Sequence, residues 1–530
     1  MIYSAYSFVR DFISKYFLFF VISLNIFIRV WGFWFKEYNA HEVMALPFSA
    51  EHVFEPISYS YLKDIFYRLI LFALISLFGD SPALVRIPNV VSSVATVFAF
   101  YALFKDKKGL FVMLSFSFIT IYYGQMAHPV SFSFLFYLMS WINLEKKKFF
   151  RATVYSLISI FSYWPFIIYI FPLYILYLLK TRDKKLLFSI VLFVFLGFLY
   201  VIGNIVLIFL LDYRYSIKYD GLEEGFNILF VGDVSFPPLF DILIFQSGIF
   251  SRDIFFVFFF VFLFGLILSF RIGFPYFLVY FISFALVYLL SVLVVKFVHP
   301  RYFIPILIPY IFCIYQVVQF VSRRSKQLSF ILVSAFVISN IITYIKYVRL
   351  PTHFDFPVLV SNFNPENEEL IYIVPLYGKT KWDLCISRGS FISLFSSKFK
   401  NKNLNFIVEE KKYYEIIILG GGFRMDEHKI ISVEDVNFPR EIYVVVNPVF
   451  YPNIGGMIKW WDIEYDRIRS LNKRVEEFLI SYGVQKVESN VGFIGFSHRF
   501  ESKEDFRNLV YAVSRIISGK SRGKEEIFSF

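Results

Sequence analysis

Cysteine is almost missing from this chain. Its 530 residues hold two, Cys313 and Cys385, too few for a disulfide scaffold. One lies in an apolar run and the other in a polar stretch, so no bond between them is expected. Charge is scarce as well. Asp, Glu, Lys and Arg make up 18%, below the roughly 25% of a soluble domain. There is no low-complexity linker and no convincing internal repeat. These absences exclude a purely soluble enzyme, a disordered chain and a fibrous protein. What fills the space is apolar and aromatic: 58% hydrophobic residues, with 73 Phe, 37 Tyr and 7 Trp, and a mean hydropathy of +0.61. Such a composition reads as an integral membrane protein. The net charge of +12 is accounted for by basic cytoplasmic loops rather than by nucleic acid.

Two compositional blocks divide the chain. Residues 1–346 are a succession of apolar runs, and residues 347–530 are mixed, charged and without a run long enough to span. A helix needs about 20 apolar residues to cross the bilayer core. The runs at 16–35, 84–104, 109–126, 129–144, 150–165, 166–180, 186–211, 252–270, 274–296, 302–321 and 328–346 qualify as spans. The run at 62–78 carries Lys63, Asp64 and Arg68 in its first turns, which suits an interfacial helix. The first span does not read as a cleavable signal, since it is long, carries Arg29 and lacks a small-residue cleavage site.

Charge sets the orientation. With a cytoplasmic N-terminus and 62–78 lying on the outer face, the loops at 105–108, 146–151, 180–185, 271 and 323–326 are internal and hold fifteen lysines and arginines. The external turns at 124–129 and 163–166 hold none. The positive-inside rule therefore gives eleven spans and an extracytoplasmic C-terminal domain.

That topology collects ionisable residues on the outer face, where an apolar bundle needs a reason to keep them. His41, Glu42, His52 and Glu55 follow the first span. Arg86 opens the second. Gln125 and His128 sit at the turn between the third and fourth. Lys296, His299, Arg301 and Tyr302 sit at the turn before the tenth. Four of the seven histidines thus reach one face, although the topology was drawn from lysine and arginine alone. Arginine suits a phosphate, because its planar fork donates two hydrogen bonds at once. His41, Glu42, His52 and Glu55 have the donor chemistry for a divalent cation. Their spacing matches no short signature such as H-E-x-x-H, so no metal site is assigned and a cation stays optional.

The order of these motifs resembles that of polytopic lipid-linked-sugar glycosyltransferases of the type C fold, in the branch of protein O-mannosyltransferases and bacterial aminoarabinose transferases. The resemblance covers roughly residues 15–325. It runs through IRVWGFWFKEYNAHEVMA, with His41-Glu42 where the family has Asp-Glu, and EPISYSYL, with Glu55-Pro56 where it has His-Pro. It continues through LFGDSPALVRIPNVVSSVATVFAFYALF, then YYGQMAHPVSFSFLFYL, with His128 in place of Arg, and ends in HPRYFIPILIPYIF. No single element is diagnostic; the order and spacing of all five carry the likeness. It implies a juxtamembrane helix at 62–78, a sugar donor on a polyprenyl phosphate, an extracytoplasmic acceptor and inversion at the sugar carbon. It assigns Glu42 as general base with His41 second, and Arg301, Arg86, Lys296 and His299 to the donor phosphate. It leaves His128, Gln125, Glu55, His52 and Tyr302 to the acceptor or pocket. Two other classes stay open: a non-catalytic relative that binds envelope glycan or lipid-linked sugar, and a transporter of a lipid-linked substrate. The transporter reading lacks mid-bilayer charge and inverted repeats.

In the C-terminal block, strands are expected at 367–373, 404–409, 415–419, 441–447 and 492–496, and helices at 389–399, 467–482 and 503–518. The alternation suggests a small α/β domain. The triple glycine at 420–422 reads as a turn, without the fuller pattern of a nucleotide loop.

Overall fold

The structure, a computed structural model, describes residues 2–32, 64–79, 81–215, 239–270, 281–286, 288 and 300–349 of the first block. Of the second it describes 369–375, 406–411, 414–420, 438–446, 461–484, 486–489 and 494–517. The chain divides into two compact units, the first within residues 1–348 and the second formed mainly by Arg349–Phe530.

The first unit is helical. Its elements are α1 (Ile2–Val30), α2 (Ile65–Phe78), α3 (Pro82–Phe104), α4 (Lys108–Ser115), α5 (Phe118–Gly124), α6 (Pro129–Glu145), α7 (Phe149–Ser162), α8 (Ile167–Thr181), α9 (Lys184–Tyr215), α10 (Leu239–Ser247), α11 (Arg252–Ser269), α12 (Leu307–Ser322) and α13 (Lys326–Arg349). Among the described residues, five segments are long and apolar enough to cross a membrane: 83–104, 164–181, 252–269, 301–322 and 326–348. A helical membrane protein follows from them. The expected span at 274–296 lies mostly outside the described residues.

One expected span is not a single helix. The run at 109–126 breaks at Phe116–Ser117 into α4 and α5, about 12 Å and 10 Å long at 1.5 Å per residue. Broken helices are tolerated in an apolar bundle only where other groups take up the freed backbone. Here Arg29 does so, donating to the Ser115 carbonyl at 2.7 Å and the Thr120 carbonyl at 3.0 Å. Asn340 accepts from the Phe118 N–H at 2.8 Å.

Helices α6 and α7 form an antiparallel hairpin joined by hydroxyls. Ser133 donates to the Ser159 carbonyl at 2.7 Å, and Ser140 and Ser156 lie 2.7 Å apart. Small hydroxyl residues let membrane helices approach closely and bond across the seam. Gly265 serves the α11–α12 contact, since a Cβ there would fall 1.9 Å from the Cys313 carbonyl oxygen.

The second unit contains a six-stranded sheet in the order β2-β3-β1-β4-β6-β5, with β1 (Glu369–Pro375), β2 (Phe406–Lys411), β3 (Tyr414–Gly420), β4 (Arg440–Val446), β5 (Lys486–Ser489) and β6 (Ile494–Phe500). Among the described strands, only β1 and β4 pair in parallel. Helices α14 (Trp461–Ser481) and α15 (Lys503–Ile517) contribute Val475, Leu479, Phe506 and Val510 to a core shared with Val444, Ile494 and Phe496 of the sheet. Tyr482 donates to the Asp505 carboxylate at 2.6 Å. Burial, and then that bond, raises its hydroxyl above the ordinary phenol value. The helix expected at 389–399 falls outside the described residues.

Candidate functional site

The site is built where two turns of the first unit meet. Pro300–Ile306 is a 3-10 turn ahead of α12. Its prolines withhold backbone donors, and two of its carbonyls are claimed by side chains from elsewhere. Gln246 of α10 donates to the Phe303 carbonyl at 2.9 Å, and the Tyr169 hydroxyl of α8 donates to the Tyr302 carbonyl at 2.6 Å. These bonds fix the backbone that carries Arg301. The second turn, 125–128, links α5 to α6, with His128 as the residue before Pro129. Asn89 of α3 grips it by donating to the Met126 and His128 carbonyls.

Arg301 Nη1 lies 3.1 Å from His128 Nε2. A guanidinium only donates, so Nε2 accepts and the imidazole is neutral with its proton on Nδ1. The 3.4 Å approach of the Val130 N–H to Nδ1 is then a close contact rather than a hydrogen bond, because a neutral imidazole has one acceptor nitrogen. Three tyrosines surround the pair. Tyr123 packs on the His128 ring at 5.9 Å between centroids, Tyr163 meets the same ring edge-on at 5.8 Å, and Tyr302 stacks on Tyr163 at 6.3 Å. The Arg301 guanidinium also lies over the Tyr302 ring, 5.6 Å from its centre. His128, Tyr123 and Tyr163 are buried, whereas Arg301 and Tyr302 are partly exposed. The cluster is therefore reachable from the side that Arg301 and Tyr302 present. Asp64, buried at the start of α2, lies within electrostatic range of Tyr163.

Helix α3 backs the site with a polar stripe at helical spacing: Arg86, Asn89, Ser93 and Thr96. Residues three and four apart share a face. Arg86, buried, thus lies on the face whose Asn89 holds the His128 turn. Ser93 receives a bond from Arg29 and donates to the Thr120 carbonyl at 3.0 Å. Thr96 lines a water-sized void with Thr120, Tyr123 and Ser131. Gly124 lets α5 approach, since a Cβ there would fall 2.1 Å from Ser93 Oγ.

Of the residues expected from sequence, the structure brings Arg301, His128 and Tyr302 together. Gln125 has a different job. Its amide donates to the Trp31 carbonyl at 2.7 Å and approaches the Tyr344 hydroxyl at 2.8 Å, so it fastens the end of α1 to α13 rather than facing the cluster. His41, Glu42, His52, Glu55, Lys296 and His299 lie outside the described residues. Sequence reasoning assigns no site role to Tyr123, Tyr163, Asp64, Asn89 and Gln246. The α3 stripe was a readable signal for Asn89; Asp64 was read only as a sign of an interfacial helix.

Chemically, the cluster offers a fixed positive fork, a neutral imidazole and phenols beside a low-dielectric interior, a setting that favours an anion with oxygen acceptors. Comparison with protein-family models, with curated proteins and with solved structures finds no match for this chain.

Proposed function

We propose that the chain is a multi-pass membrane glycosyltransferase that moves a sugar from a polyprenyl-phosphate donor to an extracytoplasmic acceptor such as protein, lipid or envelope glycan. The observation that carries this reading is the Arg301–His128 pair, set among tyrosines at a turn between apolar helices. The motif order in the sequence, which resembles the type C glycosyltransferases, supports it. The reading takes the eleven-span topology that the lysine and arginine distribution favours, with a cytoplasmic N-terminus, α2 on the outer face, residues 347–530 outside and a plasma-membrane location.

In this reading the acceptor oxygen attacks the anomeric carbon and forms the new bond as the bond from that carbon to the phosphate oxygen breaks. The electron pair leaves with the lipid phosphate, and the acceptor proton passes to Glu42, with His41 beside it. Arg301 stabilises the charge that grows on the departing phosphate, and Arg86, Lys296 and His299 add to the field. The neutral His128 accepts from Arg301 and so holds the fork in one orientation. No resident cofactor is required, and a divalent cation at His41, Glu42, His52 and Glu55 is an option that lies outside the described residues.

Glu42→Gln tests the base. Purified membranes supplied with a polyprenyl-phosphate sugar should release polyprenyl phosphate about 10²–10⁴-fold more slowly with the variant, at unchanged protein level. Wild-type release by Glu42→Gln removes Glu42 from the mechanism. One observation favours a second reading, a non-catalytic binder: His41 and His128 stand where the family carries an acid and an arginine. Binding of the lipid-linked sugar by wild type without any product would select it.

A further inference from the structure

The Tyr163 hydroxyl is an unsatisfied group of the cluster. It is buried, with the residue 4% exposed, and it has no hydrogen-bond partner. The ring itself is well held. The Tyr163 N–H donates to the Ser159 carbonyl at 2.9 Å, closing α7, and a short 3-10 turn, Trp164–Phe166, fixes the chain on its other side. His128, Tyr302 and Phe166 pack around the ring. Burying a phenol without an acceptor works against stability, and phenylalanine would fill the same space without that cost. Buried tyrosine oxygens normally find a partner, so the missing partner here points to a ligand. That ligand must bring an acceptor to a position beside Arg301, since the buried Asp64 carboxylate lies within electrostatic range of the phenol without accepting its hydrogen bond. The partly exposed Tyr302 ring stacks on Tyr163, so the phenol lies next to the exposed side of the cluster.

We infer that the Tyr163 hydroxyl donates to a phosphate oxygen of a polyprenyl phosphate held by Arg301, and so distinguishes the phosphorylated lipid from the free polyprenol. This rests on the reading of Arg301 as the donor-phosphate residue. A sugar hydroxyl could also accept from Tyr163, but the neighbouring guanidinium favours the anion.

The test uses the full-length protein in detergent, with binding of a polyprenyl phosphate and of the matching polyprenol followed by native mass spectrometry, and thermal melting followed without lipid. Wild type should prefer the phosphate. Tyr163→Phe should bind it about tenfold more weakly, bind the polyprenol as wild type does, and melt without lipid at or above the wild-type temperature. Arg301→Lys should lose most of the preference. If wild type prefers the phosphate, Arg301→Lys loses that preference and Tyr163→Phe binds like wild type, the inference about Tyr163 is overturned while the Arg301 reading stands. If wild type shows no preference, both fall. A lower melting temperature for Tyr163→Phe without lipid gives the phenol a structural role and overturns the inference as well.

Discussion

Arg29 holds a buried positive charge on four hydrogen bonds, all to neutral acceptors: Ser93 Oγ, the Thr120 hydroxyl at 2.9 Å, and the carbonyls of Thr120 and Ser115. Several donors in one rigid fork match acceptors on two elements at once. Arg29 is thereby the residue that permits the break between α4 and α5, and α5 leads directly to the turn that carries His128. Arg29→Met keeps the bulk and removes the donors. It should lower stability by about 1–3 kcal/mol, because the buried Ser115 carbonyl loses its side-chain donor, while the Thr120 carbonyl keeps Ser93. Thermal melting in detergent measures this, and an unchanged melting temperature would show that the break needs no arginine. At this scale, legibility depended on rarity. Arg301 and His128 stood out because charge is scarce and histidines number seven. Tyr163 and Tyr123 did not, because in a chain with 37 tyrosines one more at a helix end carries no signal. The orphaned hydroxyl becomes visible only once its surroundings are known.

Helices are legible from sequence where length decides and obscure where capping decides. The apolar runs around α3, α8, α11, α12 and α13 correspond to the five segments long enough to cross, because a continuous apolar stretch has one low-energy answer in a bilayer. The break at 116–117 was hidden because Phe116 and Phe118 are as apolar as their neighbours; the only local cue is Ser117, the residue before α5. In the second unit, the strands expected at 404–409, 415–419 and 441–447 fall within a few residues of β2, β3 and β4. The four-residue β5 was missed, since so short a polar strand takes its form from pairing with β6. Close packing makes a second test at this scale. Gly265 faces a backbone carbonyl that cannot turn aside, whereas Gly124 faces a serine side chain. Gly265→Ala should therefore destabilise more than Gly124→Ala, by about 1–3 kcal/mol or more for overpacking. A reversed ranking in melting experiments would mean that α11 and α12 separate more easily than their contact implies.

At the scale of the whole molecule, two independent observations coincide. Charge counting in the sequence put the turns at 124–129 and before 302 on one side of the membrane, without reference to any contact between them. The structure places Arg301 of one turn against His128 of the other, across 173 residues of chain. In the proposed reading, that meeting is what a shared pocket for an anionic lipid headgroup requires, and the sequence carries no comparable signal for a sugar or an acceptor. The most direct measurement is an experimental structure of the full-length protein with a polyprenyl phosphate bound. The phosphate should lie within hydrogen-bond reach of the Arg301 guanidinium, with the isoprenoid tail running along the apolar surface of the first unit. A phosphate seated away from Arg301, with the guanidinium still on His128, would contradict the account.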